Sequence, residues 1–130
     1  MLSSRLVKIT EWITQNQNIR VLKLGYFGAS TDTAAALRAL EIEANVLLKA
    51  TKVDGVYDAD PEKNPSAKIF NNLTYNEYIE RGLKVMDMTS ITLAMGQKLP
   101  VIVFNLRKKG NILSVVTGHN VGTLISGETR

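Results

Sequence analysis

The sequence predicts an α/β fold: a three-layer sandwich with a mostly parallel sheet. Three observations carry this. Short runs dense in branched apolar residues, IRVLKLG (Ile19 to Gly25), NVLLKAT (Asn45 to Thr51) and PVIVFN (Pro100 to Asn105), read as strands. Segments with helical spacing and capping residues lie between them. Strands separated by helices pair in parallel through crossovers, and those helices then cover the sheet faces.

In chain order, a first helix is expected at about Ser4 to Gln15, where Leu6, Ile9, Trp12 and Ile13 share a face before the polar break QNQN. The strand Ile19 to Gly25 follows. STDTAAALRALEIEA, Ser30 to Ala44, opens on capping residues and continues through strong helix formers, with Leu37, Leu40 and Ala44 on one stripe. Its alanines would let it lie close to a sheet. The near-continuous apolar character of the strand Asn45 to Thr51 predicts burial on both faces. LTYNEYIERG carries a capping box, Thr74 with Glu77, a staple between Leu73 and Tyr78, and Gly82 as its stop. Asp87 to Leu99 is a further helix ending before Pro100. The strand Pro100 to Asn105 leaves through KKG, NILSVVTG reads as a short helix capped by Asn111 and closed by Gly118, and GTLIS as a last strand.

With 130 residues and no repeat, low-complexity tract or linker, residues 1–130 are expected to form one domain. A composition of 45% hydrophobic and 22% charged residues is that of a globular protein, and no apolar run is long enough to span a bilayer, so no membrane partner is expected. The absence of cysteine excludes disulfides, thiolate metal sites and cysteine nucleophiles, and fits a reducing, cytoplasmic setting. The net charge of +4 is a modest excess that serves solubility and could favour phosphate-bearing ligands. With few aromatics and no binding motif, no nucleic-acid partner is expected.

In open α/β sheets, ligands bind beyond the carboxyl ends of the strands. The loops expected there are GYFGASTD, ATKVDGVYDADP and NLRKKG, which gather Thr31, Asp32, Thr51, Lys52, Asp54, Asp60 and Lys108 at one edge. Hydroxyls, carboxylates and ammonium groups together suit a phosphate ester with a divalent cation. Each residue also has a structural reading. Ser30, Thr31 and Asp32 are helix caps, although a helix N-terminus also attracts anions. Asp54-Gly55 could be a hairpin turn and Tyr57 its half-buried aromatic. His119, the sole histidine, is expected at the surface, and Glu41 and Glu43 on a solvated helix face. Neither GxxxxGK[ST] nor GxGxxG is present, which excludes a standard phosphate loop.

The strings STDTAAALRALEIEANVLLKATKVDGVYDADP and LKVMDMTSITLA, followed by LPVIVFN and GTLI, resemble the carboxyl-terminal half of bacterial UMP kinases, of the amino acid kinase superfamily. The likeness spans roughly Ile19 to Ile125 and is most specific between Ser30 and Asp60. Aspartokinases share a VDGVY…DP loop, and the pairing of TDTAAALRA with KATKVDGVYDADP and KVMDMTS favours UMP kinase. The resemblance implies Mg2+-dependent transfer of the γ-phosphoryl group of ATP to UMP, giving UDP in pyrimidine nucleotide synthesis. By the same resemblance Thr51, Tyr57 and Asp60 are ATP-binding, Thr31 is UMP-binding, and Asp32 is the catalytic aspartate that organises cations around the transferring phosphate; no side chain is assigned to metal.

The chain departs from that family in two places. It has no counterpart of the amino-terminal half, which carries a lysine and glycines in its first loop, and LGYFGA at Leu24 to Ala29 stands where the family has an acceptor loop of the pattern GTGNPFF. The resemblance also implies a homohexamer controlled by GTP. A module that binds nucleotide without catalysis and pairs with a separate kinase half is the alternative, and a sheet short of strands would self-associate.

Overall fold

The computed structural model describes residues 31–119 and 121–127. The helix expected at Ser4 to Gln15, the strand at Ile19 to Gly25, the LGYFGA loop and Ser30 lie outside them. Helix α1 is Thr31–Glu41, strand β1 Leu47–Thr51, β2 Asn72–Thr74, helix α2 Tyr75–Glu80, α3 Met88–Gly96, β3 Val101–Asn105, α4 Asn111–Val116 and β4 Gly122–Ser126. The four strands form one sheet in the order β1-β3-β4-β2. β1 runs parallel to β3, with Thr51 opposite Asn105, and β2 runs parallel to β4. β3 and β4 are antiparallel, so β4 begins, at Gly122, beside Phe104 near the end of β3. The sheet is thus mostly parallel with one antiparallel junction. The three-residue strand β2 was not expected from the sequence; its Leu73 had been read only as part of a helix start.

Strand β3 shows how two faces are filled. Val101 and Val103 point into a cluster built with Ile125, Leu73, Tyr75, Tyr78, Met86, Ile91 and Ala94, so α2 and α3 cover that face. Ile102 and Phe104 point the other way and meet Leu124 and Val115, so α4 covers the second. This is the period-2 alternation of a strand buried on both sides. β1 differs: its burial alternates, and Leu48 is 36% exposed. Among the described residues α4 packs on β3 and β4 and does not extend over Leu48, so the expected burial of both faces of β1 is not seen there.

On α1 the buried residues are Ala36 and Ala39, while Leu37 is exposed. Of the expected stripe, Leu40 and Ala44 do pack against the core and Leu37 does not; Ala36 and Ala39 complete the buried face, and α1 packs against α3. The capping box at Thr74 forms: Thr74 Oγ1 accepts from Glu77 N and Glu77 Oε2 accepts from Thr74 N. Leu73 and Tyr78 share the core as a staple would require. Helix α2 ends at Gly82 with φ 63, where Gly82 N donates to Ile79 O and Leu83 N to Tyr78 O. That pair of bonds needs a left-handed residue, which glycine supplies without strain. Asp87 caps α3 through Ser90 N. Asn111 does not cap α4. Gly110, with φ 87, holds the cap position, and the Asn111 amide donates instead to Asn105 O. His119 is exposed beside Thr117, and Glu41 and Glu43 are exposed as expected, although the helix ends at Glu41 and Glu43, with φ 55, lies in the turn after it.

Candidate functional site

The chain leaving β1 is held by short polar bonds. Thr51 Oγ1 accepts from Val53 N and donates to Val53 O, closing a tight turn. Asp54 then reaches across to the exit of β3: Asn105 Nδ2 donates to Asp54 Oδ1 at 2.9 Å and Lys108 Nζ to Asp54 Oδ2 at 2.9 Å. Val56 N donates to the buried Thr123 hydroxyl, which donates in turn to Phe70 O. Asp54-Gly55 is therefore no hairpin turn. The reversal comes later: Tyr57 pairs antiparallel with Ile69, Asp58 N donates to Lys68 O, and residues 59–67 close the loop. Asp60 and Asn64 build that closure by accepting Glu62 N and Ser66 N on their side chains, the local bonding that short polar side chains favour in turns.

This hairpin faces the segment after α2. Tyr57, Asp58, Asp60 and Pro61 on one side, and Arg81, Leu83, Lys84 and Val85 on the other, enclose a cavity of about 420 Å³. The glycine stop of α2 turns Leu83 to Val85 into its wall. The Arg81 guanidinium stacks over Phe70, 5.1 Å from the ring centre, and fastens that wall to the hairpin.

A second polar cluster forms where α1 begins. Lys49 Nζ donates to Asp32 Oδ1 at 2.5 Å, and Asp87 N donates to Asp32 Oδ2 at 3.4 Å. Thr33 Oγ1 donates to Asp87 Oδ1 at 3.0 Å. One carboxylate therefore ties α1 to β1 and to the start of α3. Tyr78 lies close by, its hydroxyl donating to Met86 O and accepting from Met86 N. Burial raises the Tyr78 pKa, and the Asp32 and Asp87 charges add to the rise.

The expected edge is thus two groups. Tyr57 and Asp60 line the cavity. Asp54 and Lys108 pair with each other at the cavity's outer support. Thr51 turns its hydroxyl back onto its own loop and is not among the cavity-lining residues. Lys52 is exposed, and Thr31 is the first residue of α1. Asp32 sits in the second group with Lys49. Sequence reasoning missed Lys49, Arg81 and Leu83 to Val85. The string KVMD was already part of the resemblance, but only the fold shows that its first residues form a wall.

Hydrogen bonds from Asn105 and Lys108 hold the Asp54 carboxyl below its ordinary 3.8. A group depressed in the folded state stabilises above the unfolded pKa, and that contribution is lost as pH falls through the folded one. An acid titration followed by circular dichroism is expected to show a slightly shallower acid dependence for Asp54→Asn than for the parent. The difference should be small because the Asp54 side chain is 38% exposed.

A family model, that of the amino acid kinase family, matches residues 2–105. The chain is 58% identical over 99 residues to a uridylate kinase of Yersinia enterocolitica, covering 76% of this chain and 40% of that protein. It is 56% identical over 98 residues to a chloroplastic uridylate kinase of Arabidopsis thaliana, covering 75% and 29% respectively. Among solved structures it is similar to a UMP kinase from Bacillus anthracis, with a TM-score of 0.76 at 36% identity over 78% of this chain and 42% of that one. A uridylate kinase from Archaeoglobus fulgidus gives a TM-score of 0.67 at 37% identity, covering 78% and 50%. The chain spans about two-fifths of the length of the bacterial curated relatives it matches. On the extent of the family match and the agreement of the fold, the chain belongs to the amino acid kinase family.

Proposed function

We propose that the chain forms the ATP-binding half of a UMP kinase, which transfers the γ-phosphoryl group of ATP to UMP and gives UDP for cytoplasmic pyrimidine nucleotide synthesis. The observation that carries this reading is the cavity between the Tyr57 hairpin and Leu83 to Val85. Its volume lies within the range of small-ligand sites, about 300 to 1,000 Å³, and it joins a flat aromatic face to a carboxylate. Tyr57 stacks on the base. Asp60 accepts a sugar hydroxyl, since its Oδ1 holds Glu62 N while its Oδ2 has Lys63 Nζ at 4.0 Å. The Thr51 hydroxyl keeps the backbone turn at the end of β1 in shape for the nucleotide. Thr31 opens the helix that meets UMP, as the family likeness suggests.

Phosphoryl transfer depends on positioning and charge neutralisation more than on covalent chemistry. By the family likeness, Asp32 is the anion that organises cations around the transferring phosphate. Magnesium, when bound with the nucleotide, supplies charge neutralisation at the phosphates. Such an ion is held mainly by phosphates and water. Asp32 and Asp87 are the carboxylates that would face it.

A second reading keeps the chain as a nucleotide-binding module without catalysis of its own that pairs with a separate kinase half. Assembly as a homohexamer under GTP control is the form the family likeness suggests. The test is Mg2+-dependent formation of UDP from ATP and UMP, with CMP and AMP as comparison acceptors. It is run on the 130-residue chain alone and mixed with the amino-terminal part of the Yersinia relative. UMP-selective turnover by the chain alone supports the kinase reading, and turnover only in the mixture supports the two-part reading. No turnover in either, from a folded sample, contradicts both.

A further inference from the structure

Tyr78 carries a hydroxyl that core packing does not need. The residue is 0% exposed, in the cluster with Leu73, Met86, Ile91 and Ile125, where a phenylalanine ring would fill the same space. A buried hydroxyl has to find partners, and this one finds an acceptor and a donor on a single residue. It donates to Met86 O at 2.8 Å and accepts from Met86 N at 2.7 Å. Because burial raises the Tyr78 pKa, the hydroxyl keeps its proton near neutral pH and continues to donate.

The place of Met86 in the chain gives these two bonds a use. Leu83 N donates to Tyr78 O at 3.3 Å, so Tyr78 grips the chain at Leu83 through its carbonyl and at Met86 through its hydroxyl. Between those grips run Leu83, Lys84 and Val85, the wall of the cavity. They belong to no helix or strand, so no ladder of their own holds their course. The facing wall is secured separately, with Val56 N bonded to Thr123 and Asp58 N to Lys68 O. Beyond Met86 the chain reaches Asp87, whose N–H donates to Asp32 and whose carboxylate caps α3. One hydroxyl thus fixes the far end of the wall.

We propose that Tyr78 is a positioning residue of this site: its hydroxyl, acting through the Met86 backbone, holds Leu83 to Val85 where a nucleotide resting on Tyr57 meets them. The proposal rests on the cavity being the ATP site and adds what keeps that cavity formed before the nucleotide arrives. A net hydrogen bond shifts a local equilibrium by up to about tenfold, and apparent affinity falls with the share of molecules whose wall is in place. The test compares the parent chain with Tyr78→Phe and with Ile125→Val, which trims one methyl group from the same core and leaves the Tyr78 hydroxyl intact. Calorimetry gives the affinity for Mg-ATP and thermal unfolding the stability of each. Nuclear magnetic resonance follows exchange of the Met86 amide hydrogen with and without Mg-ATP.

In the parent the Met86 amide should be protected from exchange, and more so with Mg-ATP bound. Tyr78→Phe should lose that protection and bind Mg-ATP about three- to tenfold more weakly. Ile125→Val should also lower the thermal midpoint, as a trimmed core does, yet bind Mg-ATP as the parent does. Equal affinity losses in the two variants would mean that Tyr78 acts only through core stability, and would overturn the proposal. So would parental affinity in Tyr78→Phe. A Met86 amide that exchanges in the folded parent as fast as in an open chain would overturn it as well, and that measurement needs no variant to fold. A parent that binds no Mg-ATP would overturn the ATP-site reading itself, and the proposal with it.

Discussion

Tyr57→Ala is expected to weaken Mg-ATP binding by about 10- to 100-fold, the range that loss of one aromatic stacking partner produces. Tyr57→Phe should bind within a few-fold of the parent, since the proposed role uses the ring face and not the hydroxyl. The prediction is specific because the backbone at Tyr57 is fixed independently of the ring. Val56 N is held by Thr123 and Asp58 N by Lys68 O, so truncation at Tyr57 removes a wall of the cavity without releasing the hairpin. Titration calorimetry on the two variants, with circular dichroism to confirm equal folding, checks it. Equal affinity of Tyr57→Ala and parent would remove the base from this cavity.

Gly122→Ala should be the most destabilising single methyl in the sheet. A Cβ at Gly122 would lie 2.0 Å from Val103 O and 3.1 Å from Phe104 Cα, both backbone atoms of the paired strand. The neighbours cannot swing aside as a flexible side chain would, so β3 and β4 must separate or bend. Overpacking of this kind costs about 1 to 3 kcal/mol and more where backbone is involved. A fall of about 10 °C in thermal midpoint is expected. Gly96→Ala, where a Cβ meets nothing within 4 Å, is the matched control and should be neutral or slightly stabilising. Equal midpoints for the two variants would contradict the close pairing of Gly122 with β3.

Sequence periodicity and end signals locate elements well when the signal is local. The helix starts at Thr74 and Asp87 and the stops at Gly82 and Gly118 were legible because caps act within a few residues. Strand β3 was legible from four apolar residues, Val101 to Phe104, bounded by Pro100. What was not legible depends on partners far along the chain. The face α1 buries was legible at Leu40 and Ala44 but not at Leu37, because alanines are weak in any hydrophobic stripe and Ala36 and Ala39 take the buried positions. Asn111 looked like a cap because its type favours one, but Asn105 O claims its amide. Strand β2 is only three residues long and exists because β4, some fifty residues on, pairs with it.

The site divides in the same way. Tyr57 and Asp60 could be singled out within one loop, by resemblance and by turn chemistry, and both line the cavity. The opposite wall comes from the far side of α2, and no local pattern in RGLKV marks it as such. Lys49 was passed over because a lysine inside a strand reads as an outward-facing residue until its partner on α1 is seen.

Titration of Mg-ATP into the purified 130-residue chain, with Asp60→Ala as its comparison, tests the central claim most directly. The account predicts saturable binding of one nucleotide per chain that Asp60→Ala weakens by about tenfold, as loss of a ligand hydrogen bond to a charged acceptor should. Absence of saturable binding by a folded parent, or equal binding by parent and Asp60→Ala, would contradict it.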